Sequence, residues 1–280
     1  MTVAVRQTRC APGICMTDVL CSAGPADAPF EEWHGIASVA FVTQGGFGYR
    51  CSAGTAALGP GAVLLGNAGS AYTCTHAAPG GDRCLSFGYS AEVVEEVAAS
   101  GGRTERFRRA VLPAAPALAS LPALAWSAAE GRGPSLEEIA VEALGRALSA
   151  SAGDGAVAPP LRARDERRAI EAMRSIDADA SEPLSLGEMA GRAGLGRYQF
   201  LRAFRSATGT TPHQYLVAAR LRRAARLLLT TALPVTEVAL EAGFGDLSNF
   251  IRTFHRSAGR SPRAFRLHGA PGRAPARRPG

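Results

Sequence analysis

The sequence of 280 residues contains no lysine, so its 31 Lys and Arg positions are all arginine. A guanidinium presents a planar fork of N–H donors that matches a phosphate or the edge of a guanine, whereas an ammonium is a compact point charge. The absence of lysine therefore suits a polyanionic partner. A GC-rich genome explains the same bias more simply.

The sequence also lacks long hydrophobic runs. No run reaches 18 apolar residues, so no membrane-spanning helix is expected. Asp18 interrupts the short apolar stretch near the N-terminus, which argues against a secretory signal peptide. The six cysteines all lie within the first 84 residues, and in a cytoplasmic protein they should stay reduced. Structural disulfides are therefore not expected.

Charge divides the chain into two halves. Residues 1–161 contain 10 arginines and 14 acidic side chains, whereas residues 162–280 contain 21 arginines and 10 acidic side chains, a net charge of +11. A segment rich in Ala, Gly and Pro separates the halves and predicts a linker. We therefore expect two domains at residues 1–149 and 163–268, a linker at 150–162, and a disordered basic tail at 269–280.

The first 90 residues predict a small antiparallel β-barrel or sandwich. Short β-prone runs alternate there with turn signals such as Gly45-Gly46. These runs cover residues 36–43, 47–51, 62–65, 71–75 and 84–89. Helices are expected afterwards at 91–99 and 103–111, and a better one begins at Ser135, which forms a capping box with Glu138. The predicted fold class is α+β in two domains.

The C-terminal half contains an internal sequence repeat. Six residues recur at an offset of 50, and Ala190 and Gly194 recur at an offset of 49. The six are Phe200, Arg202, Phe204, Gly209, Pro212 and Tyr215, which recur as Phe250, Arg252, Phe254, Gly259, Pro262 and Phe265. Each copy predicts a short helix, a glycine turn, a second amphipathic helix and a Gly-x-x-Pro stop. This pattern is a helix-turn-helix, which places its second helix in the major groove of DNA.

The two copies predict individual helices. In the first copy, helices are expected at 186–193 and 197–206, and Ser185 with Glu188 caps the first of them. In the second copy they are expected at 235–242 and 246–257, with a long helix at 213–229 between the copies. The spacing predicts that Phe200, Ala203 and Phe204 are buried and that the opposite face is exposed.

Particular residues make the resemblance to a known family specific. They are Leu186, Met189-Ala190, Phe204, Gly209-x-x-Pro212-x-x-Tyr215, Arg220-Leu221, Ala224, Leu227-Leu228, Val235, Val238-Ala239, Gly243-Phe244, Phe250-x-Arg252-x-Phe254, Gly259-x-x-Pro262 and Phe265-Arg266. Over residues 165–267 the sequence resembles the DNA-binding domain of the AraC/XylS transcription regulators. The resemblance implies that two motifs, held by a linking helix, enter successive major grooves on one face of the duplex.

The resemblance and the helical spacing together give the candidate DNA-contacting residues. They are Tyr198, Leu201, Arg202 and Arg205 in the first recognition helix, and Leu247, Ser248, Ile251 and Arg252 in the second. Leu201 suits a thymine methyl group, and Arg202 suits the O6 and N7 atoms of guanine. The alternative for Arg202 and Arg252 is a contact with phosphate or an ion pair within the domain. The apolar Leu247 and Ile251 predict weaker base reading by the second helix.

The N-terminal half resembles the cupin-type sensor domain that is common in this family. The resemblance covers residues 20–90 and depends on short motifs, among them Phe41-Val42, Gly48-Tyr49 and Gly59-Pro60-Gly61. The histidine triad of enzymatic cupins is missing, so a metal-dependent cupin enzyme fused to DNA-binding helices is the less favoured alternative. The helix after Ser135 has two open interpretations: it pairs two subunits, or it packs on its own barrel.

Cysteine and histidine residues of the N-terminal half form a candidate metal or redox site. Cys74 and His76 are one residue apart on a predicted strand, and Cys84 comes within reach if the two strands pair. Cys21 and His34 could complete the set. Zinc or another thiophilic metal accepts such ligands, and one thiolate could instead be oxidised reversibly. The alternative, which we favour at this stage, is ordinary packing of buried cysteines.

These observations predict a one-component transcription regulator rather than an enzyme. Double-stranded promoter DNA is the expected partner, and RNA polymerase and a second copy of the chain are further candidates. The effector is expected to be a small molecule, a metal ion or a redox signal acting on the N-terminal half. The expected location is the cytoplasm, with no membrane association.

Overall fold

The computed structural model describes residues 3–29, 31–52, 54–152 and 161–269. Antiparallel strands dominate the N-terminal part and helices form the C-terminal part, so the α+β class is confirmed. Most of the expected linker and all but the first residue of the expected tail lie outside the described residues, and the exact domain boundaries stay a prediction. No helix in the described ranges is long and apolar enough to cross a membrane.

The strands form two antiparallel sheets. The larger has the order β1-β2-β9-β4-β7-β10 and the smaller the order β3-β8-β5-β6. In the described part of the chain the outer strands have no second neighbour, so neither sheet closes into a barrel. The strands are β1 (Val3–Ala11), β2 (Ile14–Cys21), β3 (Glu31–Trp33), β4 (Ala37–Gly45), β5 (Phe47–Cys51), β6 (Gly54–Leu58), β7 (Val63–Gly66), β8 (Ala71–Thr75), β9 (Asp82–Tyr89) and β10 (Val111–Leu112).

Ten α-helices lie in the described residues. They are α1 (Ala91–Ser100), α2 (Leu121–Ala129), α3 (Leu136–Ser151), α4 (Ala163–Ala178), α5 (Leu186–Arg192), α6 (Arg197–Thr208), α7 (Pro212–Thr230), α8 (Val235–Glu241), α9 (Leu247–Ala258) and α10 (Pro262–His268). Both capping boxes are confirmed: the Ser135 hydroxyl accepts from Glu138 N, and the Ser185 hydroxyl from Glu188 N.

The helix predicted at residues 103–111 is wrong. No helix forms there, and Val111 instead begins β10. The side chain of Asn67 binds the backbone of Phe107 on both sides: Oδ1 accepts from Phe107 N at 3.0 Å, and Nδ2 donates to Phe107 O at 3.0 Å. These bonds satisfy the backbone groups that a helix would have used, and they hold the buried Phe107 ring against the core.

One face of the larger sheet packs against α3. Leu85, Phe87 and Tyr89 alternate along β9 and are fully buried on this face, and the Tyr89 hydroxyl donates to Ala140 O at 2.9 Å. Ile139 and Leu144 of α3 belong to the same core. The apolar face of α3 is therefore already covered by its own sheet, which favours the packing interpretation of this helix over subunit pairing.

The C-terminal helices pack directly on the N-terminal half. The Thr75 hydroxyl at the end of β8 donates to both carboxylate oxygens of Glu166 in α4 at 2.9 Å. The Ser257 hydroxyl of α9 donates to Pro116 O, and Arg146 Nη1 of α3 donates to Ser257 O at 3.4 Å. Both helix-turn-helix units are thus in contact with the part of the chain that precedes them.

Candidate nucleic-acid interface and sensor cavity

The repeated aromatic residues form the cores of two helix-turn-helix motifs. Phe204 of α6 packs edge-on against Tyr215 of α7, with ring centroids 5.8 Å apart. At the equivalent place in the second copy, Phe254 of α9 packs edge-on against Phe265 of α10 at 5.2 Å. All four rings are buried. The offset of 50 therefore repeats a packing unit, and the prediction of two motifs, α5–α6 and α8–α9, is confirmed.

The repeated Gly-x-x-Pro sequence ends one helix and begins the next. Gly209 and Gly259 follow α6 and α9 with φ angles of +76° and +72°, a left-handed conformation that a β-carbon disfavours. Pro212 and Pro262 occupy the first position of the following helices, where the missing N–H has no intrahelical role. Each motif therefore ends in the same geometry.

The first recognition helix, α6, presents most of its predicted residues to solvent. Tyr198 is 76% exposed, Arg202 and Arg205 are exposed, and Leu201 is half-buried. The prediction that Ala203 is buried is wrong, because Ala203 is exposed and Ala207 is buried. The buried strip follows positions 200, 204 and 207, and it is narrow because only that line of α6 contacts the neighbouring helices.

The second recognition helix, α9, also exposes all of its predicted residues. Leu247 and Ile251 are 37% and 39% exposed, and Ser248 and Arg252 are exposed as well. Asp246 begins the helix, and its carboxylate accepts hydrogen bonds from Ser248 N at 3.2 Å and Asn249 N at 2.8 Å. The two apolar side chains, Leu247 and Ile251, leave more than a third of their surface open to a partner.

The arginines on these two faces make no ion pair with a described carboxylate. This holds for Arg202, Arg205 and Arg252, and the one recorded contact is from Arg252 Nη2 to Asn249 Oδ1 at 3.4 Å. Arg192 and Arg222 elsewhere in the same half are paired with aspartates at 2.6 Å. The unpaired guanidinium groups lie on the surface that would meet a phosphate backbone.

A partly buried polar cluster connects α4 to the linking helix α7. Asp177 of α4 accepts from Arg222 Nη2 and from the Tyr215 hydroxyl, each at 2.6 Å. Burial raises the pKa of the Asp177 carboxyl, and the charge of Arg222 opposes that shift. Tyr215 also packs against Phe204 of α6. The cluster therefore joins the first recognition helix to both helices that support it.

A cavity of about 230 Å³ lies between the two sheets. The face of the larger sheet that points away from α3 contributes Cys84 and Ser86, and the smaller sheet contributes Phe47, Tyr72 and Cys74. Its walls contain both apolar and polar side chains.

The three candidate metal or redox residues, Cys74, His76 and Cys84, all line this cavity. The strand pairing that would have brought Cys84 within reach does not occur, because β8 and β9 belong to different sheets. The residues approach each other across the space between the sheets. His76 follows β8, and its Nε2 atom lies 2.8 Å from Asp82 Oδ2 and 3.8 Å from Cys21 Sγ.

Of the two further candidate ligands, Cys21 and His34, only Cys21 lies next to His76. Cys21 joins His76, as the sequence suggested. His34 instead stacks on Tyr72 with ring centroids 4.4 Å apart, and its two ring nitrogens lie 3.4 Å from the Tyr49 hydroxyl and 3.3 Å from the Ser38 hydroxyl. Burial lowers the pKa of His34, so the neutral imidazole is favoured. His34 therefore lines the cavity but does not join His76.

Sequence reasoning missed Asp82. This buried residue begins β9 two positions before Cys84, so both side chains lie on the same face of the strand and reach the cavity. Cys21, His76 and Asp82 each offer one ligand atom, and these three atoms lie within 4.8 Å of one another. The signal that could have found Asp82 is this Asp-x-Cys spacing.

Burial dominates the chemistry of the thiols in this cavity. It raises the pKa of Cys74 and of Cys84, and the nearby carboxylates of Glu32 and Asp82 act in the same direction on Cys74. The pKa of Cys21 is also raised, again mainly by burial. At neutral pH these sulfur atoms are therefore protonated unless a cation replaces the proton.

Comparison with known proteins places the C-terminal half among regulators. The family model described as a helix-turn-helix domain matches residues 189–268. The regulatory protein SoxS of Salmonella typhimurium is 32% identical over 91 residues, which are 32% of this chain and 85% of SoxS. The first curated relatives are longer, and the match covers between 32% and 40% of their length.

Two solved structures are similar to the same region. The DNA-binding domain of AdpA, solved in complex with a target DNA, is 35% identical and matches 35% of this chain and 89% of that domain, with a TM-score of 0.34. A regulator from Chromobacterium violaceum with an AraC-type DNA-binding domain is 31% identical and matches 40% of this chain and 99% of that protein, with a TM-score of 0.37.

Proposed function

Because the chain belongs to the AraC family of transcription regulators, we propose that it is a sequence-specific DNA-binding regulator rather than an enzyme. The observation that carries this proposal is the pair of helix-turn-helix motifs whose exposed faces present arginines without internal ion pairs. A cytoplasmic location follows from the expected partner, promoter DNA.

Both motifs act on the same DNA molecule. The linking helix α7 has 19 residues and a length of about 28 Å at 1.5 Å per residue. It separates two recognition helices of one chain, which should enter successive major grooves about 34 Å apart on one face of the duplex. One chain thus reads two segments, as a simple repressor does with two subunits.

The N-terminal half acts as a cupin-like sensor of the signal that controls DNA binding. Support comes from the cavity between its sheets and from its direct hydrogen bonds to α4. A bound effector changes DNA binding only if it favours one arrangement of these contacts over another. RNA polymerase and a second copy of the chain stay predicted partners.

Selection of DNA by the full-length protein tests the proposal. Purified protein is mixed with sheared genomic DNA from its source, and the retained fragments are sequenced and footprinted. We expect a shared sequence with two protected major-groove segments about one helical turn apart. Affinity should also fall steeply as salt rises, because bound arginines displace counterions. Retention of fragments without a shared sequence would contradict specific regulation.

Arg202→Ala and Arg252→Ala should affect binding differently. Arg202 lies among the candidate base-contacting residues of α6. Its loss should therefore reduce the binding free energy at the selected site by about 1–3 kcal/mol and relax the base preference there. Arg252 follows the apolar Ile251 in α9 and is expected to contact phosphate. Its loss should therefore lower the affinity for the selected DNA and for scrambled DNA by similar factors. Titrations of each variant on both DNAs at fixed salt measure the difference.

The matched control for both variants is Arg192→Ala, which removes an exposed arginine already paired with Asp179. This variant should bind both DNAs almost as the unmodified protein does. If Arg252→Ala removes the preference for the selected site while Arg202→Ala lowers both affinities equally, the roles of the two motifs are reversed.

A further inference from the structure

Three side chains from separate elements meet at one end of the sensor cavity. Cys21 ends β2, His76 follows β8, and Asp82 begins β9. His76 Nε2 lies 3.8 Å from Cys21 Sγ and 2.8 Å from Asp82 Oδ2, and all three ligand atoms lie within 4.8 Å of one another. In the described residues this is the one group of three or more such side chains. The fold brings Cys21 to a pair, His76 and Asp82, of which the nearer in sequence is 55 residues away.

We propose that Cys21, His76 and Asp82 bind a thiophilic divalent metal ion of the zinc class, and that this ion is the effector of the sensor. The second part of this statement rests on the proposed regulatory function. The first part, metal binding, does not.

The donor set fits zinc. Thiolate, imidazole and carboxylate are its usual ligands, and bonds of about 2.0–2.3 Å in a tetrahedral site place neighbouring ligand atoms about 3.3–3.8 Å apart. The Cys21–His76 separation already falls at the end of that range. The distance between His76 Nε2 and Asp82 Oδ2, now 2.8 Å, must increase by a few tenths of an ångström for both atoms to bind the ion. Cys84 Sγ contacts the other carboxylate oxygen of Asp82 at 3.8 Å, so it would have to move toward the ion to act as a fourth ligand.

Proton balance follows from the ligands. The Cys21 thiol loses its proton to solvent when the Zn–S bond forms, because a coordinating thiol is deprotonated. His76 coordinates through Nε2, so the imidazole proton that Nε2 shares with Asp82 moves to Nδ1 by exchange with solvent. One proton is therefore released for each ion bound, and a second is released if Cys84 also coordinates.

Metal binding suits these residues better than reversible oxidation. Oxidation is favoured at exposed thiols, whereas the cavity thiols are only half-exposed at most. The site also holds an imidazole and a carboxylate within reach of Cys21, with side chains 10% and 7% exposed, and both are metal ligands.

The segment that carries His76 also contacts the DNA-binding half. On one side of His76, the Thr75 hydroxyl donates to the Glu166 carboxylate at 2.9 Å. On the other side, Ala77 O accepts from Arg167 Nε at 3.1 Å. Both partners lie in the first part of α4, whose Ile170 and Met173 share a core with Phe204 of the first recognition helix. A shift of His76 toward a metal ion would therefore move the contacts of Thr75 with Glu166 and of Ala77 with Arg167, which are both in α4.

The first experiment measures metal binding by the full chain. Chelator-treated protein is titrated with zinc in competition with a chromophoric chelator. We expect one tight ion per chain. Cys21→Ser and His76→Gln should each weaken binding by more than the roughly 10–100-fold that the loss of an outer-shell partner costs. Cys10→Ser, which changes a cysteine outside the cavity lining, is the matched control and should bind as the unmodified protein does.

A cobalt titration of the unmodified protein tests the same ligands without relying on the folding of a variant. Co²⁺ bound by the unmodified protein should show a sulfur-to-cobalt charge-transfer band and a tetrahedral visible spectrum. Zinc binding that is equal in the unmodified protein, Cys21→Ser and His76→Gln would overturn the proposal. A cobalt complex without the charge-transfer band would overturn the role of Cys21 in the same way.

A second experiment tests whether the ion is the effector. Affinity for the selected DNA is measured with and without stoichiometric zinc, and we expect it to change by about 5-fold or more. Thr75→Val removes the hydroxyl that contacts Glu166 and should reduce this change without reducing zinc affinity. Equal DNA affinity with and without bound zinc would overturn the effector role. If no selective DNA binding is found while zinc still binds, the regulatory function fails and the metal site stands.

Discussion

Phe254→Ala should lower the free energy of unfolding by about 3–5 kcal/mol, which is the usual cost of removing a buried phenylalanine ring. Phe254 is 1% exposed and packs between Phe250 and Phe265, with ring centroids 5.5 Å and 5.2 Å away. The cavity left behind would lie in the second motif and in the core that this motif shares with the N-terminal half. Chemical denaturation monitored by circular dichroism measures the change.

Ile251→Ala is the control on the same helix. Ile251 is 39% exposed and lies beside the buried strip of α9 rather than in it, so this variant should change stability by less than about 1 kcal/mol. It should still weaken binding to selected DNA. If Ile251→Ala proved as destabilising as Phe254→Ala, the exposed face of α9 would be a packing surface, and its assignment to DNA would be wrong.

The helices of the C-terminal half could be predicted because local signals and packing agree there. Repeated aromatic residues mark the cores, Gly209 and Gly259 end the recognition helices, and the Ser185 capping box begins α5. Each predicted boundary lies within about two residues of the observed one. The error at Ala203 concerned how wide the buried strip of α6 is, which depends on the neighbouring helices rather than on periodicity.

The N-terminal sheets were harder to predict. Strands β5 and β8 were found at their exact bounds, but β1, β2, β3 and β6 were missed. β1 and β2 contain arginine, glutamine, aspartate and threonine among their apolar residues, and their hairpin joins the sheet through the long-range pairing of β2 with β9. Which strands share a sheet also cannot be read from local spacing. This is why Cys74 and Cys84 were expected on paired strands.

The same limit explains what was found and missed at the sensor cavity. Cys74, His76 and Cys84 were identified as a group, and Cys21 was named as a further ligand, because thiols and imidazoles are rare enough to attract notice. Asp82 is one of 24 acidic residues and has no such distinction. Only the folded chain shows that it is 7% exposed and directed at His76.

Asp177→Ala should lower the free energy of unfolding by about 1–3 kcal/mol, between the values for surface and for buried ion pairs. The side chains of Arg222 and Asp177 are 16% and 26% exposed, so water compensates little for the lost partner. The variant leaves the Arg222 guanidinium without its carboxylate, and it leaves the Tyr215 hydroxyl without its acceptor. Arg222 Nη1 already has no hydrogen-bond partner among the described residues.

Asp179→Ala provides a control at a more exposed ion pair, and Asp179 does not accept the Tyr215 hydroxyl bond that Asp177 accepts. Asp179 follows α4 two residues after Asp177, and its ion pair with Arg192 has the same length, 2.6 Å. Its side chains are 42% and 46% exposed, and pairs at such surface positions contribute about 0–1 kcal/mol. Equal losses for the two variants would mean that the Asp177 pair is as well hydrated as the surface pair. A large loss for Asp177→Ala alone, accompanied by weaker DNA binding through α6, would show that this cluster holds the first recognition helix in place.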